Sequence, residues 1–166
     1  MTTRAKKPRN KRYVPKGTSN NVLSIFGGMG SMNADHLRRI QITNHAAMVE
    51  MAQGRGTREQ WDRIVGAINM ANVMCEQKIG DEFRAITIAA RDALLAVGKR
   101  AVKNGYRFVF TGPELTAINE ALACHDAQLE NVRAIDVDRA AIEVERRVRH
   151  HINSTSVMGE IRKEAA

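Results

Sequence analysis

Aromatic residues are scarce: Phe, Trp and Tyr together make up 4% of the chain. Any core must therefore be built from Ile, Leu, Val, Ala and Met, which favours helices over a β-sandwich rich in aromatic and β-branched residues. Cysteine is rare too. Cys75 and Cys124 are the only two, and without CxxC spacing they form neither a zinc site nor a disulfide framework. Each lies among apolar neighbours in a helical pattern and reads as a buried free thiol. No stretch approaches the roughly 20 apolar residues needed to cross a bilayer. The basic start lacks the apolar segment of a signal peptide, so a cytoplasmic location is expected. Acidic residues are missing altogether from positions 1–18.

That last absence shapes the charge of the whole chain. Residues 1–18 hold seven cations, Arg4, Lys6, Lys7, Arg9, Lys11, Arg12 and Lys16, and the remainder holds 19 basic against 18 acidic residues. The formal charge of +8 thus belongs mainly to the first tenth of the chain. This segment carries Pro8 and Pro15 and little apolar surface, so burial cannot offset the entropy of ordering it. Residues 1–20 read as a disordered basic arm, 21–153 as a single helical domain and 154–166 as a frayed tail. At 166 residues, 43% of them hydrophobic, the chain fits one domain of ordinary size.

The helical signals are local and strong. Thr111, Pro113 and Glu114 form a start signal, with Glu114 placed to reach back to the Thr111 N–H. Leu115, Ile118, Leu122, His125, Leu129 and Val132 follow at alternating spacings of three and four, a single helix face. Thr57 and Gln60 make a second capping box, ahead of a face of Trp61, Ile64, Val65, Ile68 and Ala71 that continues to Met74 and Cys75. A helix through Leu37, Ile40, Met48 and Met51 starts at Asn33 or Asp35 and ends at Gly54 or Gly56. After a break at Gly80-Asp81, a third helix runs through Phe83, Ile86, Ala90, Leu94, Val97 and Ala101 and stops at Asn104-Gly105. A fifth starts near Asp136 and shows Val137, Ala141, Val144, Val148 and Ile152. Its acids come first and its Arg146, Arg147, Arg149, His150 and His151 last, which suits the helix dipole. Five helices with short connections predict an all-α bundle. Tyr106–Phe110 reads as an extended connection, or alternatively as a strand paired with Val22–Phe26 in a two-strand ribbon.

Candidate chemistry is thin. Gly28-Met29-Gly30 follows an apolar run, but position 33 is Asn and no strand completes a βαβ unit, so a dinucleotide site is not supported. No Glu-x-x-His occurs, which argues against a di-metal carboxylate site. His125 and Asp126 are adjacent, yet neighbours on a helix point about 100° apart. His125 is expected at the core edge, bonded to a polar partner on another helix, with Asn44, His45, Asn69 and Asn72 as candidates. A catalytic pairing of His125 with Asp126 or a cysteine is the weaker reading. No catalytic, metal-binding or cofactor-binding residue is assigned.

The basic arm is the stronger lead. Its cations can neutralise phosphates and release counterions, and Tyr13 can stack on a base. Arg146, Arg147 and Arg149 can extend the same footprint. The expected partner is DNA or RNA through the arm. The alternative is a helical interaction module for a host or phage protein, with Met48, Met51, Met70 and Met74 as an adaptable surface, although the same methionines read more readily as core. The segments Lys11–Gly17, Gly56–Asp62, and Gly112–Leu115 through His125–Leu129 resemble small proteins of prophages and mobile replicons of proteobacteria. That resemblance implies a phage or plasmid accessory protein and transfers no functional residue.

Overall fold

The computed structural model describes residues 34–150, with the side chains of Ala34 and His150 excepted. The arm, the Val22–Phe26 run, the glycines at 27, 28 and 30, and the tail from 151 lie outside the described residues. Within them the chain forms five α-helices, α1 (Ala34–Ala52), α2 (Arg58–Glu76), α3 (Arg84–Lys103), α4 (Gly112–Asn131) and α5 (Ala134–His150), with a 3-10 turn at Asp81–Phe83 ahead of α3. The all-α bundle expected from the sequence is the observed fold.

The connections follow from short-range chemistry. Thr57 donates its N–H to Gln60 Oε1 at 2.9 Å, and its hydroxyl accepts from the Glu59 N–H, closing the capping box at the start of α2. Gly56, just before it, passes so close to α1 that a Cβ there would meet Met51 Sδ at 2.0 Å and Met51 Cα at 2.9 Å. Gly80 has φ +65, and a Cβ on it would press on Phe83 and Gln128. Only glycine meets both demands without strain. At the start of α4 the Glu114 carboxylate accepts from the Thr111 N–H at 2.8 Å.

α2 is the axis of the molecule and packs against all four other helices. Its sequence presents one conventional stripe, yet Gly66, Ala67, Met70 and Val73 on its other sides are buried as well. An apolar surface wider than one stripe needs neighbours on several sides to cover it. The first core cluster joins Met48 and Met51 of α1, Trp61 and Ile64 of α2, Leu94 and Val97 of α3, and Ile118 and Leu122 of α4. The second joins Ile40, Met70, Val73, Met74, Leu129, Val137 and Val144 at the other end. Gln41–Glu130 and His45–Asp126 contacts place α1 antiparallel to α4.

Two expectations change in detail. Tyr106–Phe110 forms no strand: Tyr106 closes the turn after α3, and residues 107–110 form the irregular connection to α4. Phe108 anchors it by stacking on Trp61, ring centroids 5.3 Å apart. The apolar face of α5 is Val137, Ala140, Ala141 and Val144, whereas Val148 is exposed. The C-terminal turns of α5 pass the end of α2 at Glu76, leaving Val148 little of that helix to cover it.

Candidate functional site

His125 occupies the centre of the α4 stripe, not the edge of the core. It is fully buried, and neither ring nitrogen has a hydrogen-bond partner from the protein. Burial disfavours the charged form and lowers its pKa to about 4, against a smaller upward pull from the Gln128 amide, which lies outside good hydrogen-bond geometry, and from Asp126. None of the four candidate partners bonds to it. His45 Nε2 lies 2.7 Å from Asp126 Oδ2, so the carboxylate beside His125 in sequence serves α1. Asn72 donates to the Ile68 and Thr87 carbonyls and accepts from the Thr87 hydroxyl. Asn44 is buried with its Nδ2 unpaired, and Asn69 lies in a groove described below. One turn on, Gln128 Nε2 donates to the Ile79 carbonyl at 2.7 Å and the Ala71 carbonyl at 3.3 Å, while its Oε1 stays unpaired. The interior therefore holds a polar row whose hydrogen bonding is incomplete. His125 and Asp126 form no dyad, as their 100° separation implies.

Neither thiol is activated. Cys75 is buried, donates to the Gly80 carbonyl at 3.1 Å, and has its pKa raised chiefly by desolvation. Cys124 is half-buried, which departs from the expectation of a buried thiol, because α4 turns it away from the stripe. Its pKa is raised by desolvation and by Glu120. A thiol pushed upward is a poor nucleophile at neutral pH. Among the described residues no group of three or more His, Cys, Asp or Glu is placed to hold a metal ion.

Arg4, Lys6, Lys7, Arg9, Lys11, Arg12, Tyr13 and Lys16 lie outside the described residues. The α5 arginines are described, and each has a carboxylate partner. Arg146 pairs with Glu143 at 2.7 Å, Arg147 pairs with Glu143 and Glu76, and Arg149 pairs with Glu145. Two guanidinium partners hold Glu143 at a pKa of about 2. Arg147 also lines a groove of about 110 Å³ between α2, α3 and α5, with Arg84, Arg91 and Asn69 above Val73, Ile88 and Val144. That grouping was invisible in the sequence, since its members come from three helices.

The four methionines considered as an adaptable surface are all core residues. The exposed large apolar residues are instead Ile42 and Val49 on α1, Ile135, Ile142 and Val148 on α5, and Tyr106 and Val109 between α3 and α4. Among the described residues no helix is long and apolar enough to cross a membrane. No protein-family model, curated protein or solved structure matches the chain.

Proposed function

We propose that the chain is a non-enzymatic, cytoplasmic accessory protein of a phage or replicon, whose basic arm contacts nucleic acid through its phosphates. The observation that carries this reading is the partition of charge. Seven cations and no acid stand in residues 1–18, while residues 34–150 hold 17 basic against 16 acidic residues. A near-neutral body whose α5 arginines are taken up by Glu76, Glu143 and Glu145 leaves the arm as the main cationic element.

Such contacts carry no sequence information and are strongly salt-dependent. With seven cations engaged on duplex DNA, log K falls against log[salt] with a slope of about −6. The test compares the full chain with one in which the seven arm cations are changed to Gln, titrated against DNA and RNA from about 50 to 200 mM salt. The reading expects binding that weakens by roughly 10³–10⁴ over that range and is largely lost in the neutralised chain. Equal binding by the two chains, or none by either at low salt, refutes it.

One observation favours a second reading. Ile42 and Val49 are seven residues apart on α1, as are Ile135 and Ile142 on α5, and all four are exposed. Seven-residue spacing puts each pair on one helix face, as a protein-binding module requires. Capture of a host protein that survives nuclease treatment and is lost on Ile42→Glu separates this reading from the first.

A further inference from the structure

The connection between α3 and α4 holds an aromatic ring in a place that core packing does not explain. α3 ends by a left-handed Gly105, φ +65, and the Tyr106 N–H returns to the Ala101 carbonyl at 2.7 Å. Tyr106 itself also has φ +62, a conformation that L side chains with bulk rarely adopt. Burial does not compensate for it, since Tyr106 is 59% exposed. Strain of this kind persists only where the surroundings over-determine the backbone.

The surroundings do so here. Phe108 is stacked on Trp61. Arg100 donates to the Val109 carbonyl at 3.0 Å and, through two nitrogens, to the Glu114 carboxylate at 2.7 and 2.5 Å. Glu114 in turn accepts from the Thr111 N–H. The backbone is thus held at 106, 108, 109 and 111, with the Tyr106 ring facing outward. Lys103 and Arg107, both exposed, flank Tyr106 in sequence on either side of the turn. Neither makes an ion pair among the described residues, unlike the arginines of α5.

A rigid exposed ring beside two uncommitted cations matches the chemistry of single-stranded nucleic acid, in which unpaired bases offer π faces and phosphates offer charge. A duplex keeps its base faces stacked inside and would leave the ring idle. We infer that the Lys103–Arg107 turn is a binding site for single-stranded nucleic acid, with Tyr106 stacking on a base and Lys103 and Arg107 contacting the flanking phosphates. The inference rests on the reading that nucleic acid is the partner, and adds a folded contact surface and a strand preference to it.

The test measures binding of full-length chains to a fluorescein-labelled oligothymidine and to a duplex of equal length at about 50 mM salt. Tyr106→Gly removes the ring and is at ease at positive φ, so the variant folds. It is expected to weaken single-strand binding by about 5- to 100-fold and to leave duplex binding within about twofold. Tyr106→Phe keeps the π face and binds within about threefold of the parent. Lys103→Gln with Arg107→Gln makes the single-strand salt slope shallower by about 1.4. Unchanged single-strand binding in Tyr106→Gly, with binding still dependent on the arm cations, overturns this site and leaves the arm reading standing. Tyr106-dependent binding that survives neutralisation of the arm does the reverse. An equal loss in Tyr106→Phe overturns stacking. Overturning it too would be binding to anionic lipid vesicles that depends on Tyr106 while single-strand binding does not.

Discussion

His125 makes the fold sensitive to mild acid. Unfolded, its imidazole titrates near 6.5; folded, burial lowers it to about 4. Between those values the unfolded chain binds a proton that the folded chain does not, so stability rises with pH across the window and is lost as pH falls. The gap between the two values corresponds to about 3 kcal/mol. At pH 5 roughly 2 kcal/mol of this is already lost. Because the ring is completely buried, solvent screening does not reduce the effect. Set against a typical total of about 5–15 kcal/mol, the loss is large. Glu143, Glu114, Glu50 and Asp136 are lowered as well, but by guanidinium partners that favour their charged form. Their contribution is present above the ordinary carboxylate range and fades only below about pH 4.5, which leaves the interval from 5 to 6.5 to His125. Urea unfolding followed by circular dichroism at pH 7.5, 6.5, 5.5 and 5.0 measures the slope. The parent should lose about 2 kcal/mol from the first point to the last, or roughly 4–8 °C in Tm. His125→Leu removes both unpaired nitrogens at similar volume, so it should be at least as stable at pH 7.5 and flat across the window. His36 and His45 are present in both proteins and cancel in the comparison. Equal slopes in the two chains, or a parent that gains stability on acidification, would refute the reasoning.

Other substitutions probe the joints of the fold. Arg100→Ala leaves the largely buried Glu114 carboxylate without its guanidinium and should cost about 1–2 kcal/mol in urea unfolding, with a red shift in Trp61 emission as the Phe108 stack loosens. Gly56→Ala places a methyl group against the Met51 backbone and should destabilise by about 1–3 kcal/mol, visible as a lowered Tm. Leu122→Ala opens a cavity in the first core cluster and should cost about 2–5 kcal/mol, measured in the same way. Tyr106→Gly should raise stability by about 1 kcal/mol through relief of the left-handed strain.

Chemistry confined to a few neighbouring residues was legible in the sequence. Thr57 with Gln60, Thr111 with Glu114, the break at Gly80 and the stop at Gly105 all appear where their patterns place them, because a cap is decided within one turn. The α4 stripe was legible for the same reason. What the pattern missed depended on neighbours distant in sequence. Gly66, Ala67, Met70 and Val73 do not announce a buried face, and only the presence of four surrounding helices makes α2 central. His125 was correctly turned inward, but its isolation follows from the register of α1, which brings His45, and not His125, to Asp126. The α5 arginines are a different case. Glu143 stands four residues before Arg147, and Glu145 four before Arg149, spacings that favour ion pairs on a helix. That signal was present in the sequence, and only the Glu76 contact needed the fold.

These observations bear on where the chain can do chemistry. Its one fully buried titratable ring is held neutral at physiological pH by burial, with no ionisable group hydrogen-bonded to it. Its thiols are shifted away from reactivity, and α5 keeps its arginines neutralised on its own surface. α2 is enclosed along most of its length and is exposed only at its ends, at Arg58, Glu59 and Glu76. The turn around Tyr106 combines an exposed ring with two cations that make no ion pair among the described residues, and the excess positive charge gathers in the arm. If the partner is nucleic acid, the two should act together: the arm supplies long-range attraction, which falls steeply with salt, and the ring supplies short-range stacking, which does not. At about 200 mM salt the arm's share shrinks while the stacking share persists, so the fold-loss on Tyr106→Gly should stay nearly constant as overall affinity collapses. A loss that shrinks in step with the electrostatic attraction would mean that the ring is only another place where phosphate passes by.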